Sequence, residues 1–303
     1  MRAVCVMGPT AVGKSDLAVA VARAFRGEVV NADSMQVFRH LPIGTAAPTP
    51  DQLAAVPHHL FAYLDPDQEP DAADWARRAA GVMADLDARG RLPVVVGGTF
   101  FWMRALFEGL SDIPPVPPWA RDAVLARIRR DGIEAAHRHL TGIDPPTAAR
   151  LAQGDTQRIA RALEVFEATG QPLSRFQAAE PRPAIEARVL RLLPEMPREV
   201  LYARIDARVD RMIEQGLVDE VRRVLAMGVP PDARPLRTTG YAPVVRFLRG
   251  EIPAGEMRDH VCKGHRNYAK RQLTWLRREE GLRFCATGCW DIALAACRDF
   301  LGR

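Results

Sequence analysis

Residues 3–25 read "AVCVMGPTAVGKSDLAVAVARAF": an apolar run, a loop bounded by glycines, then an amphipathic stretch. Ala3 to Met7 are apolar and β-prone without alternation, the pattern of a strand buried on both faces. Leu17, Val21 and Ala24 recur at helical spacing. Between strand and helix, "GPTAVGKS" matches G-x-x-x-x-G-K-[ST] at every fixed position. Chance alone would supply such a match about one time in a hundred in a chain of this length. The strand before it and the helix after it lower that figure further. A loop of this kind turns its backbone N–H groups and a helix N-terminus toward a di- or triphosphate. Gly8, Pro9, Thr10, Ala11, Val12, Gly13, Lys14 and Ser15 are therefore expected to bind phosphate. Lys14 would bring a cation to the outer phosphate, and the Ser15 hydroxyl would ligate Mg²⁺.

Outward from the loop the alternation continues. "EVVNA" (28–32) reads as a second short strand, and "LPVVVGGT" (92–99) is the strongest strand signal in the chain. Between them Asp71 suits a helix N-cap, Trp75, Ala79, Val82 and Leu86 share a stripe, and Gly90 suits the end. Apolar strands alternating with helices predict an α/β fold, a P-loop NTPase-like parallel sheet flanked by helices, with ligands outside the carboxyl ends of the strands. After Gly109 the pattern changes. "SDIPPVPPWARD" (111–122) is Pro-rich, and the residues beyond it show helical periodicity without a convincing strand. A second Pro-marked joint precedes a last expected strand, "RVLRLL" (188–193), and the C-terminal third reads as helices. The expected organisation is a P-loop core over 1–114 and 186–303, with a helical insertion domain over 115–185.

Composition narrows the class. Of 303 residues 48% are hydrophobic and 26% charged, as in soluble globular proteins. No apolar run approaches the roughly 20 residues that cross a bilayer, and "AVCVM" runs straight into Gly8-Pro9 rather than forming a signal peptide. The five cysteines are odd in number and scattered, which argues against a disulfide framework and for a reducing cytoplasm. The 42 basic and 37 acidic residues leave a formal charge of +5, and its distribution says more than its size. Between Arg258 and Arg283 eight Lys/Arg face three acids, with Lys263, Arg266, Lys270 and Arg277 near one helical face. That stripe suits an RNA phosphate backbone, while Val261, Tyr268, Trp275 and Leu276 can serve packing.

A phosphate loop does not name its ligand. A nucleoside triphosphate fits, and so does an organic diphosphate whose diphosphate is the leaving group. The first possibility is an ATP-binding nucleotide or small-molecule kinase, with Asp33 at the end of the second strand as metal ligand or base. Asp33 could also do no more than cap a following helix together with Ser34.

Further blocks bear on the choice: "VVNADSMQVFRHLPIGTAAP", "VPHHL", "VVVGGTFFWMRAL", "DTQRIARALEVFEATGQPLS", "RTTGY" and "NYAKRQLTWLRR". Together with the phosphate loop, in order from about residue 4 to about 278, they resemble the tRNA dimethylallyltransferases of bacterial type. The resemblance implies transfer of a dimethylallyl group from dimethylallyl diphosphate to N6 of the adenosine beside the anticodon, giving N6-isopentenyladenosine and diphosphate. It implies Mg²⁺ as cofactor and the tRNA anticodon stem-loop as partner, with the insertion closing on it. A cytoplasmic monomer is the default expectation. Exocyclic adenine nitrogen is a poor nucleophile until its proton is removed, and Asp33 carries over as the acceptor. Thr99 matches a position that contacts the same adenosine, and Ser34, Met35 and Gln36 form the lip that meets the flipped base. Arg208 matches an arginine thought to help bind diphosphate. The tRNA contacts carried over are Arg121, Gln157, Arg158, Ile159, Ala160, Arg161, Arg237, Gly240, Tyr241, Lys270, Arg271, Gln272, Trp275 and Arg277.

The chain departs from the family pattern at Ala47, where lysine is usual, at Trp102, often Tyr, and at Thr239, commonly Ile. His58 and His59 are read as structural, since adjacent side chains on a strand or helix point apart. Cys262-x-x-His265 with Cys285 and Cys289 has a ligand count that suits zinc, but its spacing is loose.

Overall fold

The computed structural model describes residues 1–302. It divides into two compact units, Met1–Phe107 with Ala184–Arg303, and Glu108–Pro183. The first unit opens with β1 (Arg2–Met7), α1 (Lys14–Ala24), β2 (Gly27–Asn31), α2 (Pro50–Ala55), β3 (His58–His59), α3 (Ala72–Ala88), β4 (Leu92–Gly97) and α4 (Phe100–Phe107). The second unit is helical: α5 (Pro118–Asp131), α6 (Ile133–Ile143), α7 (Pro145–Arg150), α8 (Thr156–Thr169) and α9 (Leu173–Phe176). The chain then returns to the first unit with β5 (Arg188–Glu195), α10 (Arg198–Glu214), α11 (Leu217–Ala226), α12 (Ala242–Leu248), α13 (Ala254–Leu276), β6 (Leu282–Ala286) and α14 (Asp291–Leu301).

Every strand pairing is parallel, in the order β3-β2-β4-β1-β5-β6. The unbroken apolar runs became the inner strands: β2 and β4 are buried throughout, and β1 beyond its first residue. Val94 of β4 lies beside Val4 of β1 on one side and Val29 of β2 on the other. The ends of β1, β4 and β2 therefore deliver the phosphate loop, Gly98-Thr99 and Asp33 side by side. Helix α1 lays Leu17, Ala18, Val21 and Ala22 on the sheet. Asp71 caps α3, accepting from Asp74 N at 2.7 Å.

Two strands are absent from the sequence reading. "RVLRLL" is not the last strand: β6 follows it in a region expected to be wholly helical, and pairs with β5. Only Cys285 of β6 is buried, so this edge strand has no apolar run to announce it. β3 is two residues long, and its histidines serve the sheet edge. His59 Nε2 lies 2.7 Å from Glu28 Oε2, and His58 Nδ1 2.8 Å from Val56 O. The helical unit starts at Glu108, ahead of its Pro-rich run, and has its own core of Val124, Leu140, Ile159, Leu163, Val165 and Leu173. Ile159 and Ala160, expected at an RNA-contacting surface, are buried in that core, because they lie on the inward stripe of α8. Among the described residues no helix is long and apolar enough to cross a membrane.

Candidate active site

The phosphate loop leaves β1 at Gly8 and enters α1 at Lys14. It passes through positive φ at Ala11 (66°) and Gly13 (96°), backbone conformations from which anion-binding concavities are made. Three contacts brace it. Thr10 N donates to Gln272 Oε1 at 2.8 Å, Thr287 Oγ1 donates to Val12 O at 2.8 Å, and Lys14 Nζ donates to Pro9 O at 2.7 Å. Burial pushes the Lys14 ammonium down to about 8; Asp33 pulls it up and Arg208 presses it lower.

Arg208 reaches the loop from α10 and donates to Thr10 Oγ1 at 3.1 Å. Burial holds its pKa below the usual arginine value, against the attraction of Asp33. Arg204 and Arg211, one turn to either side on the same helix face, line the same cavity. Sequence reasoning passed over both, although the i, i+4, i+7 spacing of "ARIDARVDR" was there to read. The cavity has a volume of ≈ 540 Å³. Thr10, Lys14, Ser15 and Asp33 form its polar side, with Ile43, Ala46, Ala47 and Phe61 among its apolar lining.

Asp33 stands two residues beyond β2. Its N–H donates to Asn31 Oδ1 at 2.8 Å, and its Oδ1 accepts from Met35 N at 2.9 Å. The helix it could have capped does not form; residues 34–37 make a turn, and Asp33 closes it as an Asx turn. That occupies one carboxylate oxygen, and Oδ2 has no hydrogen-bond partner among the described residues. Thr99 holds the same turn from the end of β4: Ser34 N donates to Thr99 Oγ1 at 3.0 Å, and Thr99 Oγ1 to Ser34 Oγ at 3.2 Å. Gln36, also lining the cavity, donates to Thr45 O (3.1 Å) and Ala46 O (2.7 Å).

Several expected tRNA contacts have other duties here. Gln272 is buried, its carbonyl accepting from Thr10 and its amide donating to Gly98 O at 3.0 Å. A Cβ on Gly98 would stand 2.1 Å from that amide nitrogen, so only glycine admits the staple. Gly240 and Tyr241 are buried as well, Tyr241 at 1% exposure. Arg266 pairs with Asp206 at 3.1 Å and is no free member of a basic stripe. A helix-face projection places these residues correctly on their own helix but cannot show what other segment covers them. Tyr268, read as packing, sets its hydroxyl over Gly98 O at 3.4 Å. Exposed on α13 or at its end are Lys270, Arg271, Trp275 and Arg277; Arg271 lies over the Tyr268 ring at 5.6 Å. Arg237 is exposed and 3.6 Å from Glu69. In the helical unit Arg121, Gln157, Arg158 and Arg161 are exposed.

Mg²⁺ takes oxygen ligands, commonly one or two from protein and the rest from phosphate and water. The Ser15 hydroxyl beside the phosphate loop fits that sparse donor set. Among the described residues no cluster of three or more His, Cys, Asp or Glu could hold a metal ion.

Comparison with known proteins gives a consistent result. A family model described as IPP transferase matches residues 36–279, and one described as isopentenyl transferase matches residues 1–65. The chain is 46% identical over 281 residues to a tRNA dimethylallyltransferase of Syntrophobacter fumaroxidans, covering 93% of this chain and 82% of that one. It is 44% identical to one of Geobacter sulfurreducens, covering 93% and 91%. Among solved structures it resembles the full-length tRNA isopentenylpyrophosphate transferase of Bacillus halodurans (33% identity, TM-score 0.70, 99% and 95% covered). It also resembles a eukaryotic dimethylallyltransferase acting on tRNA (25% identity, TM-score 0.84, 99% and 79% covered).

Proposed function

This chain belongs to the IPP transferase family, the tRNA dimethylallyltransferases, and we propose that the ends of β1, β4 and β2 carry the chemistry of its reaction. The reaction is prenylation of A37 of tRNA. The C–O bond of dimethylallyl diphosphate breaks and its electron pair leaves on the diphosphate. N6 of the adenosine bonds to the allylic carbon, and the N6 proton passes to Asp33. Lys14, Arg208 and the loop N–H groups from Ala11 to Ser15 stabilise the charge on the departing diphosphate, the Thr10 N–H being held by Gln272. Mg²⁺, held through Ser15, would add a positive charge at the same phosphates.

What supports this assignment above all is the free Oδ2 of Asp33 in a cavity it shares with Lys14 and Arg208. A carboxylate held by one oxygen and free at the other is oriented yet able to take a proton. Thr99 fixes the turn that carries Asp33 and is assigned to the adenosine. Lys270, Arg271, Trp275 and Arg277, with Arg121, Gln157, Arg158 and Arg161, are assigned to tRNA. The enzyme is assigned to the cytoplasm as a monomer. Incubation with labelled dimethylallyl diphosphate and unmodified tRNA should place label in RNA, and Asp33→Ala should abolish it while tRNA still binds. Labelling that survives Asp33→Ala unchanged would remove Asp33 from the mechanism.

A further inference from the structure

Residues 41–47 form one wall of the cavity, and within the segment only turn contacts hold its shape: Ala46 N donates to Ile43 O and Ala47 N to Pro42 O, both at 2.9 Å, and Thr45 Oγ1 to Leu41 O at 2.6 Å. "LPIGTAA" is apolar and short of side-chain donors, and Ala46 sits at positive φ (52°). The wall is gripped from behind by a residue with no place in the chemistry. Glu220 of α11 is fully buried. Its carboxylate accepts from Ile43 N at 2.7 Å, Gly44 N at 2.9 Å and the Tyr241 hydroxyl at 2.9 Å. No cation stands within ion-pair distance of it among the described residues, and burial pushes its pKa up. A buried carboxylate with no ion-pair contact, only the more distant charge of Arg223, is unfavourable, and an apolar side chain would pack there at less cost. What an apolar side chain lacks is a two-oxygen fork matched to two successive backbone N–H groups. Tyr241 completes the grip: a Cβ on Gly44 would stand 2.4 Å from its ring. On the cavity side Gln36 holds Thr45 O and Ala46 O, and its own N–H donates to Asp33 O at 3.2 Å.

We infer that Glu220 is a positioning residue for the diphosphate substrate: through the N–H groups of Ile43 and Gly44 it sets the 41–47 wall against the phosphate loop, and through Gln36 it steadies the Asp33 turn. The inference rests on the cavity being the dimethylallyl diphosphate site, and the experiment separates the two. Binding of dimethylallyl diphosphate is measured by calorimetry on wild type, Lys14→Ala, Glu220→Gln and Tyr241→Phe, with thermal unfolding of each and hydrogen exchange of segment 41–47. Glu220→Gln keeps the shape but turns an N–H₂ group toward a backbone N–H. It should weaken diphosphate binding about tenfold or more and speed exchange at 41–47, with tRNA affinity unchanged. Tyr241→Phe should do the same to a smaller degree. A folded Glu220→Gln protein with wild-type diphosphate affinity overturns the inference. Should that variant not fold, an unchanged affinity in Tyr241→Phe overturns it. Wild type and Lys14→Ala binding alike would instead refute the cavity assignment itself.

Discussion

Asp33 and Lys14 are opposite charges that meet in one cavity, and each has a measurable signature. Asp33→Asn keeps the Oδ1 acceptor for Met35 N, so the turn persists while the proton acceptor is lost. Turnover should fall by roughly 10²–10⁴ with little change in tRNA affinity, a split that a plain structural defect would not give. Lys14 makes a pH prediction. With its pKa pushed down to about 8, the ammonium is charged below that pH and neutral above it in the free enzyme. An anion binds the charged form better, so diphosphate affinity should hold level at lower pH and fall as pH rises through 8. The slope should approach about tenfold per pH unit while this one proton is taken up on binding. Lys14→Arg stays charged across that window, and in it the pH dependence should flatten. Arg208→Lys is no substitute in the same sense, because its Nη1 reaches across to Thr10 Oγ1 from another element.

At the scale of elements, legibility in the sequence divided along a physical line. β1, α1, β2, α3 and β4 announce themselves through unbroken apolar runs or a 3.6-residue stripe, signals that a segment carries in itself. β6 and the Tyr241–Glu220 and Gln272–Thr10 contacts depend on what another segment supplies, and periodicity contains none of that. Lys14 stands in a local motif, and Asp33 and Arg208 are picked out through the family resemblance, whereas Glu220 looks like any acid in the first turn of α11. The α10–α13 packing shows the same blindness. His265 of α13 is packed with its Nε2 unpartnered, and burial, then the Arg208 charge, pushes it down to about 4. The unfolded chain holds this proton below its ordinary pKa near 6.5, and the folded protein only below 4. Between those values the unfolded state binds more protons, so this group makes stability rise with pH from 4 to 6.5 and adds nothing above. The full span is worth up to about 3 kcal/mol. Denaturant midpoints measured across that range should fall toward acid, and His265→Gln should lessen the fall. Gln272→Leu tests the neighbouring staple: it leaves Thr10 N unpaired and Gly98 O with only the long contact from the Tyr268 hydroxyl (3.4 Å), and should cost about 2 kcal/mol and weaken diphosphate binding.

Over the whole molecule, the excess of 42 basic over 37 acidic residues is small, so RNA affinity must come from where the free cations lie. On α13, Arg266 is committed to Asp206 and Arg258 to Asp210 (2.6 Å), while Lys263, Lys270 and Arg277 are exposed with no ion pair among the described residues. In the helical unit Arg158 and Arg161 already sit near acids of their own helix, Asp155 at 3.3 Å and Glu164 at 3.7 Å. Exposed pairs of this kind are weak, and phosphate can displace them, but the exchange returns less than engaging an unpaired lysine. The two sets of cations should therefore differ in salt dependence. Each phosphate neutralised contributes roughly 0.7–0.9 to the slope of log affinity against log salt. Lys270→Ala should lower the slope by about that amount and weaken tRNA binding most at low salt. Arg158→Ala and Arg161→Ala should each weaken binding by less at the same ionic strength. Diphosphate affinity should be unmoved in all three, since none of these side chains lines the cavity. Equal losses at Lys270 and Arg158 would show that pre-existing ion pairs do not discount a phosphate contact, and the ranking argued from them would fall.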